Sequence, residues 1–233
     1  MTPEESKKDY VSVIYNEEDR PFTKYPDLLA RYLVKRYELS KGKTLLDLGC
    51  GRGEFLRGFI RCGLSGYGVD QSSMAKALCP DAEILQSDLE KEPLPYADNT
   101  FDYIYSKSVL EHFYYPEKLV REIYRILIPG GLVITMTPDW ESVYKTFYHD
   151  YTHRTPFTLT SLRDIFIIHG FDRVNVEKFR QLPFLWTTPW LRPISVIISC
   201  MTPNALSAHS KLIRFSKEVM LLCSAFKPEK QTA

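Results

Sequence analysis

The chain has 233 residues, of which 44% are hydrophobic, and its 30 basic and 29 acidic residues give a formal net charge of +1 at pH 7. This length suits one α/β domain that buries a substantial core, and the near-neutral charge gives no general argument for nucleic-acid binding. Five scattered cysteines without a Cys-x-x-Cys pair fit reduced thiols better than a disulfide or zinc framework.

The N-terminal section, residues 1–40, is predicted to form an arm followed by a helix. Residues 1–24 are polar with interspersed aromatic side chains, and they form either a loose arm or a lid over a bound ligand. Their charged start predicts no signal peptide, so we expect a cytoplasmic protein. Apolar residues at helical spacing predict a helix over residues 26–38.

A glycine-rich turn follows the first predicted strand. An apolar run over residues 44–48 predicts a buried parallel strand, and a Gly-x-Gly-x-Gly pattern, Gly49 to Gly53, comes directly after it. Glycines at a strand-to-helix turn let the backbone approach a ligand closely and leave the amide groups of the helix N-terminus available to hold it. Asp47 stands two residues before the first glycine and would repel a pyrophosphate. A carboxylate there suits a cationic ligand such as S-adenosylmethionine, which carries an ammonium and a sulfonium.

Residues 45–53, Leu-Leu-Asp-Leu-Gly-Cys-Gly-Arg-Gly, resemble the first motif of the class I S-adenosylmethionine-dependent methyltransferases. Later motifs of this family follow in the right order, among them Pro-Gly-Gly at residues 129–131. The resemblance covers roughly residues 25–180 and is nearest to bacterial small-molecule and glycan O-methyltransferases. It implies a single α/β domain with a Rossmann-like, doubly wound sheet of seven strands, mostly parallel with an antiparallel last strand, and helices on both faces.

The cofactor implied by the resemblance is S-adenosylmethionine, with S-adenosylhomocysteine as the product. Asp70 ends the second predicted strand, residues 66–70, where its carboxylate can accept hydrogen bonds from both ribose hydroxyls of an adenosine or cap the following helix. After the third predicted strand, the resemblance places Asp88 near the adenine amino group and Leu89 against the ring. The predicted cofactor-binding residues are Asp47, Gly49, Cys50, Gly51, Asp70, Gln71, Asp88, Leu89 and Ser106.

Candidate catalytic residues follow the fourth predicted strand, residues 101–105, because an open parallel sheet places its reactive groups at the carboxyl ends of strands. Methyl transfer to a hydroxyl needs a base, since a protonated alcohol is a poor nucleophile. His153 lies in an Asp-x-x-His-x-x-Pro-Phe pattern that resembles an element of methyltransferases linked to surface-polysaccharide assembly, and it is our first candidate. His112 is the second, and Glu111 beside it is the third candidate catalytic residue. The alternative for either histidine is a hydrogen-bonded residue that only shapes the pocket.

A metal site has to be weighed against the histidine base. Some methyltransferases bind a divalent ion through a Glu-x-x-Glu-His pattern, and Glu111 and His112 match its end. Ser108 stands in place of the first glutamate, so the remaining donors make a weak site for a hard cation unless His149 or His153 compensates. We expect no metal.

The rest of the chain completes the predicted sheet. A helix from Pro116 ends at Pro-Gly-Gly before the fifth strand, and another helix, capped by Thr160 or Ser161, ends at His169. The third, fifth, sixth and seventh strands are predicted over residues 82–86, 132–136, 171–176 and 218–226, with the last two as an antiparallel hairpin. Residues 41–180 form the predicted cofactor-binding core.

The segment between the last two strands, residues 180–217, is a long insertion with an unusual composition. It holds five basic residues and no acidic residue, so the rest of the chain carries a net charge of −4. It also holds two tryptophans and an Ile-Ser-Val-Ile-Ile run. Cationic and apolar side chains together favour a membrane interface or a lipid-linked anionic substrate, whereas the alternative is an apolar lid or a dimer face. We expect the segment to cap the acceptor side of the pocket.

The leading hypothesis is an O-methyltransferase of polysaccharide biosynthesis whose acceptor is a sugar or glycan hydroxyl, free or lipid-linked. One alternative is a quinone-pathway or lipid hydroxyl methyltransferase. A different class of function is a module that binds the cofactor without catalysis and serves a partner. No Asn-Pro-Pro-Tyr signature follows the fourth predicted strand, so we expect no nucleic-acid substrate. We expect a cytoplasmic enzyme with peripheral contact at the inner membrane face through residues 180–217.

Overall fold

The structure is a computed structural model that describes residues 21–73, 75–80, 82–202 and 211–229. Most of the predicted N-terminal arm or lid, residues 1–20, lies outside the described residues, and so does the middle of the 180–217 insertion. The chain divides into two compact units, residues 1–95 and 96–233. The two units are described in turn.

Seven strands form one sheet in the order β3-β2-β1-β4-β5-β7-β6. The strands are β1 (Thr44–Leu48), β2 (Ser65–Asp70), β3 (Glu83–Gln86), β4 (Phe101–Lys107), β5 (Leu127–Pro138), β6 (Asp172–Arg180) and β7 (Val219–Phe226). The sheet is mostly parallel, and β7 is antiparallel to both of its neighbours. The predicted fold class, a Rossmann-like sheet flanked by helices with an antiparallel last strand, is confirmed.

Helices connect most of the strands. They are α1 (Tyr25–Arg36), α2 (Glu54–Arg61), α3 (Ala75–Leu78), α4 (Pro116–Ile126), α5 (Trp140–Val143), α6 (Leu159–Ile168), α7 (Pro183–Thr187), α8 (Arg192–Met201) and α9 (Lys211–Lys217). Short 3-10 turns lie at Leu110–His112, Phe147–His149 and Pro189–Leu191. Helix α1 agrees with the helix predicted over residues 26–38.

The first unit is built around β1. The predicted apolar run is a fully buried strand, since Leu45, Leu46 and Leu48 are all 0% exposed. Strand β1 pairs in parallel with β2, and β2 pairs in parallel with β3, with Asp70 opposite Gln86 at the carboxyl end. Fully buried apolar side chains on the flanking helices, among them Leu33 of α1, complete this core.

The second unit holds the insertion between β6 and β7. Strand β4 pairs in parallel with β5, which places Lys107 opposite Met136. Strand β7 pairs antiparallel with β5 on one side and with β6 on the other, and its first residue, Val219, lies opposite Arg180. Because β4, β5 and β6 run in the same direction, the insertion leaves and re-enters the sheet at the edge where these three strands end.

Several boundaries differ from the predicted ones. Strand β4 continues through Ser106, which was expected to follow it, because the backbone keeps pairing with β5. Strand β6 continues to Arg180 instead of ending at residue 176, since the polar residues of this edge strand still pair with β7. The cap of α6 is neither Thr160 nor Ser161: Thr158 Oγ1 accepts a hydrogen bond from the Ser161 backbone, and Ser161 Oγ accepts one from the Thr158 backbone. This reciprocal capping box stabilises the first turn of α6, because it supplies hydrogen-bond acceptors for backbone N–H groups that have no partner within the helix.

Candidate active site

The turn between β1 and α2 is built on three glycines in the left-handed region. Gly49, Gly51 and Gly53 have φ angles of 74°, 51° and 70°, which residues with a Cβ adopt only under strain. Gly53 is also fixed sterically, because a Cβ there would lie 2.5 Å from the Cβ of Cys79. At Gly51 a Cβ would meet nothing within 4 Å, so the backbone is open on that side. The predicted strand–turn–helix arrangement is present, with space beside Gly51.

Asp47 lies in β1 with 3% of its surface exposed. Its Oδ2 has no hydrogen-bond partner among the described residues. Burial, together with the nearby charge of Asp70, raises the pKa of Asp47 to about 8, and a hydrogen bond from the Leu56 backbone opposes this rise. A buried carboxylate in this position is stabilised by a cation. The ammonium and sulfonium of S-adenosylmethionine supply positive charge, so Asp47 fits the cofactor that the sequence implies.

Asp70 ties the glycine turn to the end of β2. Its Oδ2 accepts a hydrogen bond of 2.8 Å from the backbone N–H of Gly51. Its Oδ1 accepts one of 2.8 Å from the backbone N–H of Ser72. Ser72 precedes the helix that begins at Ala75, so this contact closes a local turn and does not cap that helix. Each carboxylate oxygen has a second lone pair, so the predicted bonds to ribose hydroxyls stay a prediction that these contacts do not preclude.

The other cofactor-binding candidates of the first unit lie at the ends of β1, β2 and β3. Cys50 is buried in the turn, Leu89 is half-buried, and Gln71 is exposed and accepts a hydrogen bond of 3.1 Å at its carbonyl from Gln86. The Asp88 carboxylate forms a 2.7 Å ion pair with Lys91, which lowers the pKa of Asp88. An exposed pair of this kind contributes little stability, so a ligand amino group can replace Lys91.

The three catalytic candidates come together in the second unit. Ligand atoms of Glu111, His112 and His153 all lie within 4.8 Å of one another. The ring centroids of His112 and His153 are 4.9 Å apart, with an interplanar angle of 66°. His149, which was considered as a further metal ligand, is exposed and does not belong to this group.

Backbone hydrogen bonds hold the loop of His153 against the 3-10 turn after β4. The Glu111 carbonyl accepts hydrogen bonds from the backbone N–H groups of Arg154, at 2.7 Å, and Thr155, at 3.1 Å. Thr155 Oγ1 donates to the carbonyl of Phe113 at 2.7 Å. His153 immediately precedes these contacts, so its ring is positioned by a loop that is hydrogen-bonded to Glu111 and Phe113.

Hydrogen-bond partners orient both rings and fix the tautomer of His153. His153 Nδ1 lies 2.7 Å from the carbonyl of Phe147, which can only accept, so Nδ1 carries the proton. His112 Nδ1 lies 2.9 Å from Thr152 Oγ1, and this hydroxyl lies 2.5 Å from a carboxylate oxygen of Asp150. The hydroxyl therefore donates to Asp150 and accepts from His112. In its neutral form, the His153 ring therefore keeps an unprotonated Nε2.

Burial controls protonation within the cluster. It lowers the pKa of His112 to about 4, with a further contribution from the neighbouring His153. Glu111 is 0% exposed, and burial raises its pKa to about 7. Its Oε2 accepts a 3.0 Å hydrogen bond from Thr137 Oγ1, whereas Oε1 has no partner among the described residues. His112 is thus neutral near pH 7, and Glu111 titrates close to it.

The same three side chains could hold a metal ion, and no other such group occurs among the residues that the structure describes. Two imidazoles and one carboxylate suit Zn²⁺ better than a hard cation such as Mg²⁺. Of the two histidines considered as replacements for the missing glutamate, His153 lies with Glu111 and His112, and His149 does not. The absence of a required metal stays a prediction.

Three residues near the cluster carry roles that the sequence did not reveal. Thr152 and Asp150 orient His112, and Phe147 orients His153 through its carbonyl. The Asp-x-Thr spacing was the available signal, because Asp150 Oδ1 also accepts a hydrogen bond from the Thr152 backbone at 3.0 Å.

Ser106, a predicted cofactor residue, is 0% exposed in β4, and its Oγ has no hydrogen-bond partner within the described part of the chain.

Sequence comparisons identify the family. A family model described as a methyltransferase domain matches residues 15–176. The phosphoethanolamine N-methyltransferase 2 of Caenorhabditis elegans is 30% identical over 159 residues, which make up 63% of this chain and 36% of that protein. An uncharacterized methyltransferase of Mycobacterium marinum is 34% identical over 116 residues, 47% of this chain and 44% of that protein. The match thus spans less than half the length of either curated relative.

Solved structures share the fold. A chain from the Haloferax volcanii complex that contains the Trm112 methyltransferase activator gives a TM-score of 0.73 at 22% identity, over 96% of this chain and 100% of that chain. A SAM-dependent methyltransferase from Archaeoglobus fulgidus gives 0.66 at 20% identity, over 94% and 100%. The Haemonchus contortus phosphoethanolamine N-methyltransferase 2, in complex with phosphomonomethylethanolamine and S-adenosylhomocysteine, gives 0.64 at 22% identity, over 86% and 52%. Since the family model matches most of the chain, the protein belongs to the methyltransferase domain family, as a class I member whose cofactor is S-adenosylmethionine.

Proposed function

We propose that this protein transfers the methyl group of S-adenosylmethionine to a hydroxyl of a sugar or glycan. When bound, the cofactor supplies a methyl group that is already activated by the sulfonium. The protein has to align the acceptor oxygen with that methyl group, exclude water and remove the hydroxyl proton. The observation that carries the proposal is the hydrogen bond between His153 Nδ1 and the Phe147 carbonyl, which leaves Nε2 of His153 able to accept a proton.

His153 is the better base of the two. Burial keeps the pKa of His112 near 4, so this ring is a weak proton acceptor at neutral pH. His153 Nε2 lies 3.9 Å from Asp150 Oδ2, and a carboxylate at this distance stabilises the imidazolium that forms when the ring takes a proton. In the proposed step, the acceptor oxygen forms a bond to the methyl carbon, the sulfur–carbon bond breaks, and the hydroxyl proton moves to His153.

Exposed aromatic side chains beside the histidines support a sugar acceptor. Phe147 packs on His153 with ring centroids 4.5 Å apart, and Tyr148 packs edge-on against Phe147 at 5.1 Å. Tyr148 and Tyr151 are 58% and 76% exposed. Exposed aromatic rings suit the apolar faces of a sugar ring, which favours a glycan over a small polar acceptor.

The second candidate is methylation of an amine. The Caenorhabditis elegans relative supports it by its name, and an ammonium must also lose a proton before it can attack a methyl group. The quinone-pathway or lipid hydroxyl acceptor and the catalytically silent binding module remain further alternatives.

An acceptor screen for S-adenosylhomocysteine release tests these proposals. We expect release with nucleotide-activated or lipid-linked sugars, and a large loss in His153→Ala but not in His149→Ala, because His149 is exposed and outside the cluster. Release with phosphoethanolamine alone would support the amine acceptor. Calorimetric binding of S-adenosylmethionine without release for any acceptor would favour the silent module.

A further inference from the structure

The insertion exposes an apolar surface on and next to α8. Trp190, Ile194, Ile197 and Met201 are 74%, 52%, 55% and 78% exposed, and we call these four residues the α8 surface. The last three are spaced so that they share one face of the helix, whereas Ser195, on another face, is 2% exposed. Single exposed apolar residues are ordinary, but a contiguous group marks a surface that contacts something other than water.

This surface is held on a rigid base. Trp186 stacks on Phe179 of β6 with ring centroids 5.4 Å apart and an interplanar angle of 29°. Its indole N–H donates to the carbonyl of Arg180 at 2.9 Å, and Leu185 is 2% exposed. The start of the insertion is therefore packed on the sheet, and the α8 surface projects from that anchored part.

The charge of the insertion indicates what the α8 surface contacts. Residues 180–217 contain five basic residues and no acidic residue, although the rest of the chain is net negative. The nearest acid in sequence, Glu218, lies just beyond the segment and pairs with Arg214 at 2.9 Å. A tryptophan, aliphatic residues and basic residues in one short segment match the interfacial region of an anionic bilayer, where each basic residue adds to the attraction.

We propose that the α8 surface binds the interfacial region of an anionic lipid bilayer, with α8 lying in the plane of the membrane. Among the described residues, no helix combines the length and apolar composition that spanning a bilayer requires. The proposal does not rest on the proposed acceptor, because it concerns only where the protein binds. It does agree with a lipid-linked acceptor, since the insertion leaves the sheet at the edge where β4, β5 and β6 end.

Co-sedimentation of the full chain with vesicles tests this proposal. We expect stronger binding to phosphatidylcholine vesicles that contain phosphatidylglycerol than to pure phosphatidylcholine vesicles, and weaker binding at high salt, because salt screens the attraction. Ile197→Asp should reduce the bound fraction about tenfold, since a charge opposes insertion of the apolar face. The matched control is Ile168→Asp, which places the same charge at a site on α6 that is 76% exposed.

Four results would overturn the proposal. They are no binding to either vesicle, equal binding to both vesicles at all salt concentrations, an equal loss of binding in Ile197→Asp and Ile168→Asp, and a dimer in solution that Ile197→Asp dissociates. The last result would show that the α8 surface is covered by a second copy of the chain. Circular dichroism checks that each variant is folded, and Ile197→Ser provides a second variant if the aspartate prevents folding.

Discussion

The centroids of the His112 and His153 imidazole rings lie 4.9 Å apart, and each ring is hydrogen-bonded at its Nδ1. The partners differ: the backbone carbonyl of Phe147 holds His153, whereas Thr152 holds His112 through its side chain and its backbone. Burial lowers the pKa of His112 to about 4. Substituting each histidine in turn therefore tests the two roles separately.

The first prediction concerns the base. His153→Ala should lower kcat by about 10²–10⁴, because the acceptor then loses its proton only to water, and cofactor affinity should stay nearly unchanged. Steady-state kinetics with the identified acceptor and calorimetry with S-adenosylhomocysteine measure the two quantities. If His153→Ala is active and His112→Ala is not, the role belongs to His112. Full activity in both variants would indicate an acceptor that needs no base.

The second prediction concerns metal. Treatment with a chelator should leave the activity unchanged, because the proposed proton transfer uses only the imidazole and no ion. The same assay with added Zn²⁺ provides the control, and elemental analysis of the purified protein reports any bound ion. Activity that is lost on chelation and restored by Zn²⁺ would show that Glu111, His112 and His153 act as metal ligands, and the histidine base would then be wrong.

The third prediction concerns Asp47 and pH. Its pKa of about 8 in the folded chain lies above the ordinary value of 3.8, so the folded state binds the proton more tightly than the unfolded state. The contribution of this protonated carboxyl group to the free energy of unfolding is fully present below about pH 4 and is lost as the pH rises through about 8. Asp47→Asn should remove this dependence and be more stable than the unmodified chain above pH 8. Urea unfolding across this range measures it, with Asp88→Asn as the exposed control.

The fourth prediction follows from the same carboxyl group. If the positive charge of S-adenosylmethionine lies next to Asp47, binding at pH 7 should ionise the carboxyl and release a proton. Calorimetric titrations in buffers of different ionisation enthalpy detect this proton. An observed enthalpy that is independent of the buffer would show that Asp47 does not face the cationic groups.

The fifth prediction separates two effects of glycine. Gly42 and Gly53 have φ angles of 78° and 70°, but a Cβ meets nothing within 4 Å at Gly42 and lies 2.5 Å from the Cβ of Cys79 at Gly53. Gly42→Ala should cost about 1–2 kcal/mol through backbone strain alone. Gly53→Ala should cost more, because the turn must also move away from Cys79. Equal losses in thermal unfolding would show that the turn relaxes without cost.

The sequence predicted those parts of the fold that have local signatures. The buried β1 and the glycine turn were predictable because Leu45, Leu46 and the Gly-x-Gly-x-Gly pattern are adjacent in the chain. The residue that caps α6 could not be predicted. Thr158, Thr160 and Ser161 all have side chains that can cap a helix, and only the backbone path shows which of them can bond to the first turn.

The candidate site shows the same limit. His112 and His153 were predicted from family-like patterns, yet nothing in the sequence placed their rings together. The Thr152–His112 hydrogen bond joins residues 40 positions apart and depends on how the loop after β5 folds back. The insertion was also predictable only in part. Its composition indicated an apolar cationic segment, but the sequence did not show that Trp186 stacks on Phe179 and anchors it.

The pairing of Arg180 with Val219 has a consequence for how this protein can diversify. These two residues lie opposite each other at the root of the insertion, so β6 and β7 are as close there as in a tight hairpin. Beyond its packed start, where Trp186 stacks on Phe179, the segment between them can therefore change in length or sequence without disturbing the register of the sheet.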